Sequence, residues 1–128
     1  MKIILSNYSN VPIYEQIYHQ IREGILSGEL VEGEVLPSIR QLAKDLQVSV
    51  ITTTRAYRDL ENDGLVAIVQ GKGCYVLPQN PELVKEQGLC QAQEHFSKGI
   101  SAGLLAGASD EELRNLLDIL LQEERYGK

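Results

Sequence analysis

The chain has 128 residues, of which 43% are hydrophobic and 23% charged, and its formal net charge is −6. This length suits one small domain with an appendage but not two full-sized domains, and the composition is typical of a folded globular protein. The acidic balance excludes a protein that coats nucleic acid by bulk charge attraction. Acidity is concentrated late, since residues 1–77 carry seven Lys or Arg against nine Asp or Glu, and residues 78–128 carry five against nine.

The first residues of the chain and its Cys and His residues indicate the cellular compartment and whether a cofactor is expected. The opening ten residues hold too short an apolar run for a signal peptide or a membrane span, and no later stretch approaches spanning length. We therefore expect a cytoplasmic protein with no membrane partner, in which Cys74 and Cys90 are reduced thiols and Cys74 is a buried apolar residue. His19 and His95 lack neighbours at metal-ligand spacing, so no metal or other cofactor is expected.

Helical periodicity begins just after Pro12. Apolar residues recur every fourth position, at Ile13, Ile17, Ile21 and Ile25. This spacing predicts a first helix that ends near Gly28, where glycine suits a left-handed cap. Residues 28–37 contain two glycines and a proline, which predicts a turn-rich connector with room for a short strand.

Two short helices separated by a tight turn are predicted next. Ser38 stands where a helix begins, and Ser49 is a second candidate N-cap, after a turn at Gln47 and Val48. The third helix should continue to Gly64. The apolar residues expected to face the core are Ile39, Leu42, Ala43, Leu46, Ala56, Tyr57 and Leu60. This arrangement predicts a helix-turn-helix.

Residues 65–77 predict a β-hairpin, because two apolar runs flank a glycine-rich tip at residues 70–73. Three helices and a hairpin form a winged helix. The expected fold class is therefore mainly α with a small β-hairpin, with a winged helix-turn-helix over residues 1–77.

Residues 78–128 predict a helical dimerisation tail. Asn80 and Pro81 resemble a helix start, and a capping box between Ser109 and Glu112 begins a second helix. Each of these helices carries a stripe of apolar residues, and two helices alone bury little apolar surface. We therefore expect a homodimer, and the alternative is that the two apolar stripes cover each other within one chain. The expected dimerisation residues are Phe96, Gly99, Ile100, Gly103, Leu104, Leu113, Leu116, Leu117 and Leu120.

The third helix carries short polar side chains in its first turns, where a recognition helix reads base edges in the major groove. Those side chains belong to Ser49, Thr52, Thr53 and Arg55. Arg40, Lys44 and Lys72 supply positive charge for contacts to phosphate. These positions predict double-stranded DNA as the partner.

Residues 12–76 resemble the DNA-binding domain of the GntR family. The similarity is carried by Gly28-Glu29-Leu30, Leu36-Pro37-Ser38-Ile39-Arg40, Leu42-Ala43, Val48-Ser49, Leu60-Glu61 and Gly71-Lys72-Gly73. The resemblance implies DNA contacts by Arg40, Ser49, Thr52 and Gly71, with Gln70 and Lys72 as companions. The chain departs from the common pattern at Val50, where many members have arginine, and at Thr54, where many have a basic residue.

The tail is short for this family and resembles that of its YtrA subfamily, which also implies a homodimer. The candidate DNA-contacting residues are Ser38, Arg40, Lys44, Ser49, Val50, Thr52, Thr53, Arg55, Gln70, Gly71 and Lys72.

The expected function is sequence-specific transcription regulation by a homodimeric repressor that binds an inverted repeat. The alternative is a winged-helix module that binds protein, against which the local basic set Arg40, Lys44, Arg55 and Lys72 argues. An enzyme is not expected, because the chain has no nucleophile–base constellation or phosphate loop. A small-molecule effector between tail and winged helix is left open, since no residue cluster indicates one.

Overall fold

The computed structural model describes residues 1–126, which form two compact units, one over Met1–Pro81 and one that begins at Glu82. The helices are α1 (Ile13–Leu26), α2 (Ile39–Leu46), α3 (Val50–Asn62), α4 (Pro81–Leu105) and α5 (Asp110–Tyr126). The strands are β1 (Val35–Leu36), β2 (Val66–Val69) and β3 (Gly73–Val76). The predicted fold class, mainly helical with a small β element and a winged helix, is confirmed.

The helix ends follow from local side-chain chemistry. The Ser38 hydroxyl accepts a hydrogen bond from the Gln41 N–H at 3.1 Å, and the Ser49 hydroxyl accepts one from the Thr52 N–H at 3.0 Å. Both bonds satisfy N–H groups that a helix start leaves unpaired. After α2 the backbone reverses at Gln47, which adopts a left-handed conformation with φ of 57°. The predicted caps and turn are therefore present.

The wing is a three-stranded antiparallel sheet rather than an isolated hairpin. β3 lies in the centre, paired with β2 on one side and β1 on the other. In this register Leu36 lies opposite Cys74 and Val66 opposite Val76. The short strand for which the connector had room is thus an edge strand, and it attaches the start of α2 to the wing.

The core of the first unit lies between α1, α3 and the sheet. The bulkiest side chains with essentially no exposure are Tyr57, Ile17, Ile21, Leu60 and Val66. Each large apolar side chain buried in this way stabilises the fold by about 1.5–3 kcal/mol. Gly24 lies within α1 because Leu30 packs against it, and a Cβ at Gly24 would lie 2.9 Å from Leu30 Cδ1.

The N-terminal segment is held on α1 by two glutamine side chains, an arrangement that no pattern in the sequence predicts. The Gln20 amide donates to the Ile4 carbonyl and accepts from the Ile4 N–H, at 2.6 and 2.9 Å. One turn earlier, the Gln16 amide bonds to the Ser6 backbone in the same two-way manner, at 2.9 and 2.8 Å. Each glutamine side chain therefore pairs with both the N–H and the carbonyl of one residue of the N-terminal segment, as a neighbouring β-strand would.

The second unit has no buried residue in α4 or in the described part of α5. The capping box is present, since the Glu112 carboxylate accepts from the Ser109 N–H at 3.0 Å and the Ser109 hydroxyl accepts from the Glu112 N–H at 3.1 Å. These bonds lower the pKa of Glu112. Within residues 1–126, no helix combines the length and apolar character needed to cross a bilayer.

Two of the predicted dimerisation residues make a contact within the chain. Gly103 and Leu113 lie against each other within the chain, and a Cβ at Gly103 would lie 2.6 Å from Leu113 Cδ2. The absent Cβ at Gly103 leaves room for the Leu113 side chain near the junction of α4 and α5, so this part of α4 has a contact within the protomer. The other predicted apolar positions keep roughly half of their surface exposed, namely Phe96, Ile100, Leu104, Leu116, Leu117 and Leu120.

Candidate nucleic-acid interface

A cleft of about 440 Å³ separates the start of α2 from the tip of the wing. Of the predicted DNA-contacting residues, the structure brings five together in its lining: Ser38, Arg40, Gln70, Gly71 and Lys72. These residues are exposed, and two of them carry positive charge. Residues far apart in sequence thus bring two cations to one cleft, an arrangement suited to phosphate.

The wing tip has a fixed backbone. Gly71 and Gly73 adopt φ of +79° and +115°, a region that side chains with a Cβ rarely occupy. The turn closes through a hydrogen bond from the Lys72 N–H to the Val69 carbonyl at 2.9 Å, and the Tyr75 hydroxyl donates to the Lys72 carbonyl at 3.1 Å. The glycines are therefore needed for the turn itself, and the turn holds Lys72 at the mouth of the cleft.

Two residues of α3 that sequence reasoning did not assign to the site form its frame. The Tyr57 hydroxyl donates to the Pro37 carbonyl, and the Glu61 carboxylate accepts from the Ile68 N–H at 3.0 Å. The first bond joins α3 to the start of α2, and the second joins α3 to the wing. Burial raises the pKa of Tyr57, which stays protonated as a donor. The sequence feature that could have pointed to Glu61 is its place in the Leu60-Glu61 motif of the family resemblance.

The first turn of α3 presents a mixed surface. Ser49 donates to the Thr52 hydroxyl oxygen at 2.8 Å while it caps the helix, so the two hydroxyls form one small polar group. Beside them, Val50 and Ile51 are exposed over 47% and 83% of their surface. Lys44 is exposed in the last turn of α2, outside the cleft lining.

Thr53 is a correction to the predicted site. Its side chain has 0% exposure, and its hydroxyl donates to the Ser49 carbonyl at 3.2 Å. It lies on the core stripe of α3, three and four residues before Ala56 and Tyr57. Thr53 therefore packs in the core beneath α3, and its side chain is not placed to contact DNA.

Arg55 is exposed but does not line the cleft. Its guanidinium lies over the Tyr14 ring, 3.8 Å from the ring centroid, in a groove between α1 and α3. A cation placed over an aromatic face in this way is attracted by the ring quadrupole. In this arrangement Arg55 connects two helices rather than facing the wing.

Cys74 lies in the cleft lining as a buried residue, as predicted, whereas Cys90 is exposed. Burial, followed by the nearby Glu61 carboxylate, raises the pKa of the Cys74 thiol to about 11. The protonated thiol therefore dominates at neutral pH.

Comparison with known proteins identifies the family of this fold and cleft. The model of the bacterial regulatory proteins of the gntR family matches residues 13–76. The chain belongs to the GntR family. The winged helix-turn-helix transcription regulator predicted from the sequence is confirmed at this level.

Individual relatives match over different lengths of this GntR protein. The HTH-type transcriptional repressor YtrA of Bacillus subtilis is 30% identical over 120 residues, which span 94% of this chain and 92% of that protein. A transcriptional antiterminator from Listeria monocytogenes has a similar structure, with TM-score 0.74, 31% identity and coverage of 96% of this chain and 92% of that one. The AraR DNA-binding domain in complex with operator ORX1 matches with TM-score 0.50 and 30% identity, over 59% of this chain and 90% of that one.

Proposed function

We propose that the chain is a homodimeric transcriptional repressor that binds an inverted-repeat DNA operator. The observation that carries this proposal is the cleft between α2 and the wing, where Arg40 and Lys72 lie on two sides of a groove and Tyr57 of α3 contributes to the lining. Its negatively charged occupant is the DNA backbone, and α3 is the helix that enters the major groove.

In this proposal the predicted residues divide into four groups. Arg40, Lys44 and Lys72 bind phosphates, while Gln70 and Gly71 bring the wing against the neighbouring groove. Ser38, Ser49 and Thr52 offer hydroxyl groups to the backbone or base edges, and Val50 lies at the base-facing turn. Sequence information is read at α3, whereas the cations set the position and the salt dependence of binding.

A second copy of the chain is the proposed partner of the tail. α4 and the described part of α5 bury none of their residues, although apolar side chains such as Phe96 and Leu116 line them. Two helices with so little enclosed core are not expected to be stable alone in water. In a two-fold dimer, the apolar surface of α4 and α5 in one copy covers the same surface of the other copy. The dimer then presents two recognition helices to a symmetric operator.

The comparisons support the repressor role and the DNA partner. The B. subtilis relative that extends over most of this chain is named a transcriptional repressor, and the AraR domain was solved on an operator. A compact dimer across a promoter blocks polymerase without a further surface, which agrees with repression. The proposed role needs no catalysis, and we expect it to be carried out in the cytoplasm.

The test of DNA binding is selection from a pool of randomised duplexes with the full chain, followed by affinity measurements over a salt series. We expect an enriched inverted repeat whose binding weakens steeply with salt. Arg40→Ala should lower the affinity for every sequence and reduce the salt slope by about one. Arg58→Ala is the matched control, because Arg58 is exposed on the later part of α3 and does not line the cleft. A folded protein that enriches no duplex contradicts the proposal and favours a protein-binding winged helix.

The test of assembly is sedimentation equilibrium of the full chain and of Leu116→Glu. Leu116 is 51% exposed in the structure, so a glutamate there does not disturb a core within the protomer. We expect a dimer for the unaltered chain and a monomer for the variant, since an unpaired charge in an apolar interface is costly. A monomeric unaltered chain at micromolar concentration that still binds its operator tightly contradicts the dimer.

A further inference from the structure

The base-facing turn of α3 is chemically unusual for a helix expected to read DNA. Its most exposed large apolar side chain is Ile51, at 83%, and its neighbour Val50 is 47% exposed. Both are β-branched and apolar, and neither belongs to the buried core or to the partly buried residues packed against it. Their exposure therefore has no explanation within the folded domain.

The polar groups of the same turn are largely used within the helix. The Thr54 hydroxyl donates to the Val50 carbonyl at 2.7 Å, and the Thr53 hydroxyl donates to the Ser49 carbonyl. The Ser49 hydroxyl is used as the cap and as a donor to Thr52. Among these hydroxyl groups, only that of Thr52 remains free to donate a hydrogen bond to a base. Recognition helices commonly offer several such groups.

The nearest cation on this exposed face is also engaged elsewhere. Arg55 lies one turn after Ile51, and its guanidinium rests on the Tyr14 ring rather than beside Ile51. A bidentate contact to guanine is the strongest polar form of base readout, and it requires a free guanidinium or ammonium at this turn. None of Val50, Ile51 and Thr52 can supply it.

We propose that this helix reads thymine through the C5-methyl group, with Val50 and Ile51 as the specificity-determining residues. The methyl group of thymine is the apolar feature that unmodified bases present in the major groove, and apolar side chains recognise it by direct contact. Burial of each such methyl group removes apolar surface from water on both partners. This inference rests on the proposed operator binding and adds to it the kind of base that α3 prefers.

The test uses the operator obtained by selection and removes only methyl groups. Each thymine of the half-site is replaced by deoxyuridine, one position at a time and in both half-sites, and the affinity of the unaltered protein is measured at fixed salt. We expect one or two positions at which the affinity falls by about fourfold for each methyl group removed, the value for one buried carbon. This scan needs no altered protein, so folding of a variant does not enter it.

Variants then assign the effect to residues. Val50→Ala and Ile51→Ala should bind the thymine duplex more weakly and lose the discrimination between thymine and deoxyuridine at one of those positions. Val31→Ala is the matched control, because Val31 is also an exposed valine, at 56%, but lies in the connector before β1. It should retain the full discrimination.

Two outcomes overturn the inference while leaving the proposed function intact. One is an operator on which every deoxyuridine duplex binds as tightly as the thymine duplex. The other is a methyl effect that persists unchanged in both Val50→Ala and Ile51→Ala. A pool that yields no bound duplex overturns the proposed function and this inference together, so the two failures are distinguishable.

Discussion

The phenol of Tyr57 donates a hydrogen bond to the carbonyl of Pro37, with an oxygen–oxygen distance of 2.6 Å. Tyr57 is a core residue of the recognition helix, and Pro37 directly precedes the cap of α2. This bond joins α3 to the residue before the cap of α2, the helix that carries Arg40. The geometry of the interface therefore depends on the domain core.

Tyr57→Phe should weaken both stability and DNA binding. The change leaves the ring in the core but removes the donor, and an unmade hydrogen bond of this kind costs about 1 kcal/mol of unfolding free energy. Urea unfolding gives the loss of stability, and titration of the operator at a temperature where both proteins are folded gives the loss of affinity. An unchanged affinity would mean that the Tyr57–Pro37 bond stabilises the domain without positioning Arg40.

Thr52→Val and Thr53→Val form a matched pair on neighbouring residues. Thr53 is fully buried, so its valine variant should bind the operator like the unaltered chain, with a stability change below about 1 kcal/mol. Thr52 is partly exposed and its hydroxyl accepts from Ser49, which leaves its own proton free to donate, so its valine variant should bind several-fold more weakly. Operator titrations of both variants at one salt concentration check this. A loss of affinity confined to Thr53→Val would contradict the burial of that side chain.

Cys74 should react slowly with alkylating reagents in the folded protein. Its pKa is raised to about 11 from 9.0, which leaves about 100-fold less thiolate at pH 8 than in the unfolded chain. Because burial also limits access, the measured rate in a Cys90→Ser background should fall at least that far below the rate in urea. The rate in the folded protein should rise with pH up to about 11. Fast labelling at pH 8 would show that the wing opens readily.

Gly99→Ala separates contacts within the tail from contacts between copies. A Cβ at Gly99 or at Gly88 meets nothing within 4 Å in the protomer, and both changes should raise helix stability by up to about 1 kcal/mol. If a partner helix packs on the Gly99 face, Gly99→Ala weakens the dimer while Gly88→Ala does not. Sedimentation equilibrium of both variants measures this difference. Equal dimer affinities would place the partner away from Gly99.

Gly103→Ala tests the contact between Gly103 and Leu113 in the tail. Its new Cβ would displace Leu113, which lies 2.6 Å away at Cδ2, so the contact between α4 and α5 should loosen. We expect a lower thermal midpoint than for Gly99→Ala, as followed by helical circular dichroism. A midpoint at or above that of Gly99→Ala would indicate that Leu113 moves aside without cost.

Local patterns along the chain are enough to predict most of the helices, the wing and their ends. Four-residue spacing located α1, serine caps located α2 and α3, and the glycines at residues 71 and 73 located the wing tip, because periodicity, capping and backbone conformation are local properties. The charge pattern predicts Arg40 and Lys72 as phosphate contacts, the family resemblance adds Gln70 and Gly71, and all four line one cleft. Thr53 is buried although its hydroxyl group predicts a contact with DNA, because it lies on the same core stripe of α3 as Tyr57.

Other features were decided only by the tertiary structure. The pairing of β1 with the wing, the support of the N-terminal segment by Gln16 and Gln20, and the place of Arg55 over Tyr14 each join residues distant in sequence. The packing of Gly103 on Leu113 likewise depends on how closely two helices approach. The physical reason is the same throughout: a hydrogen bond, a ring contact or a close approach depends on where another element lies, and local patterns carry no such distance.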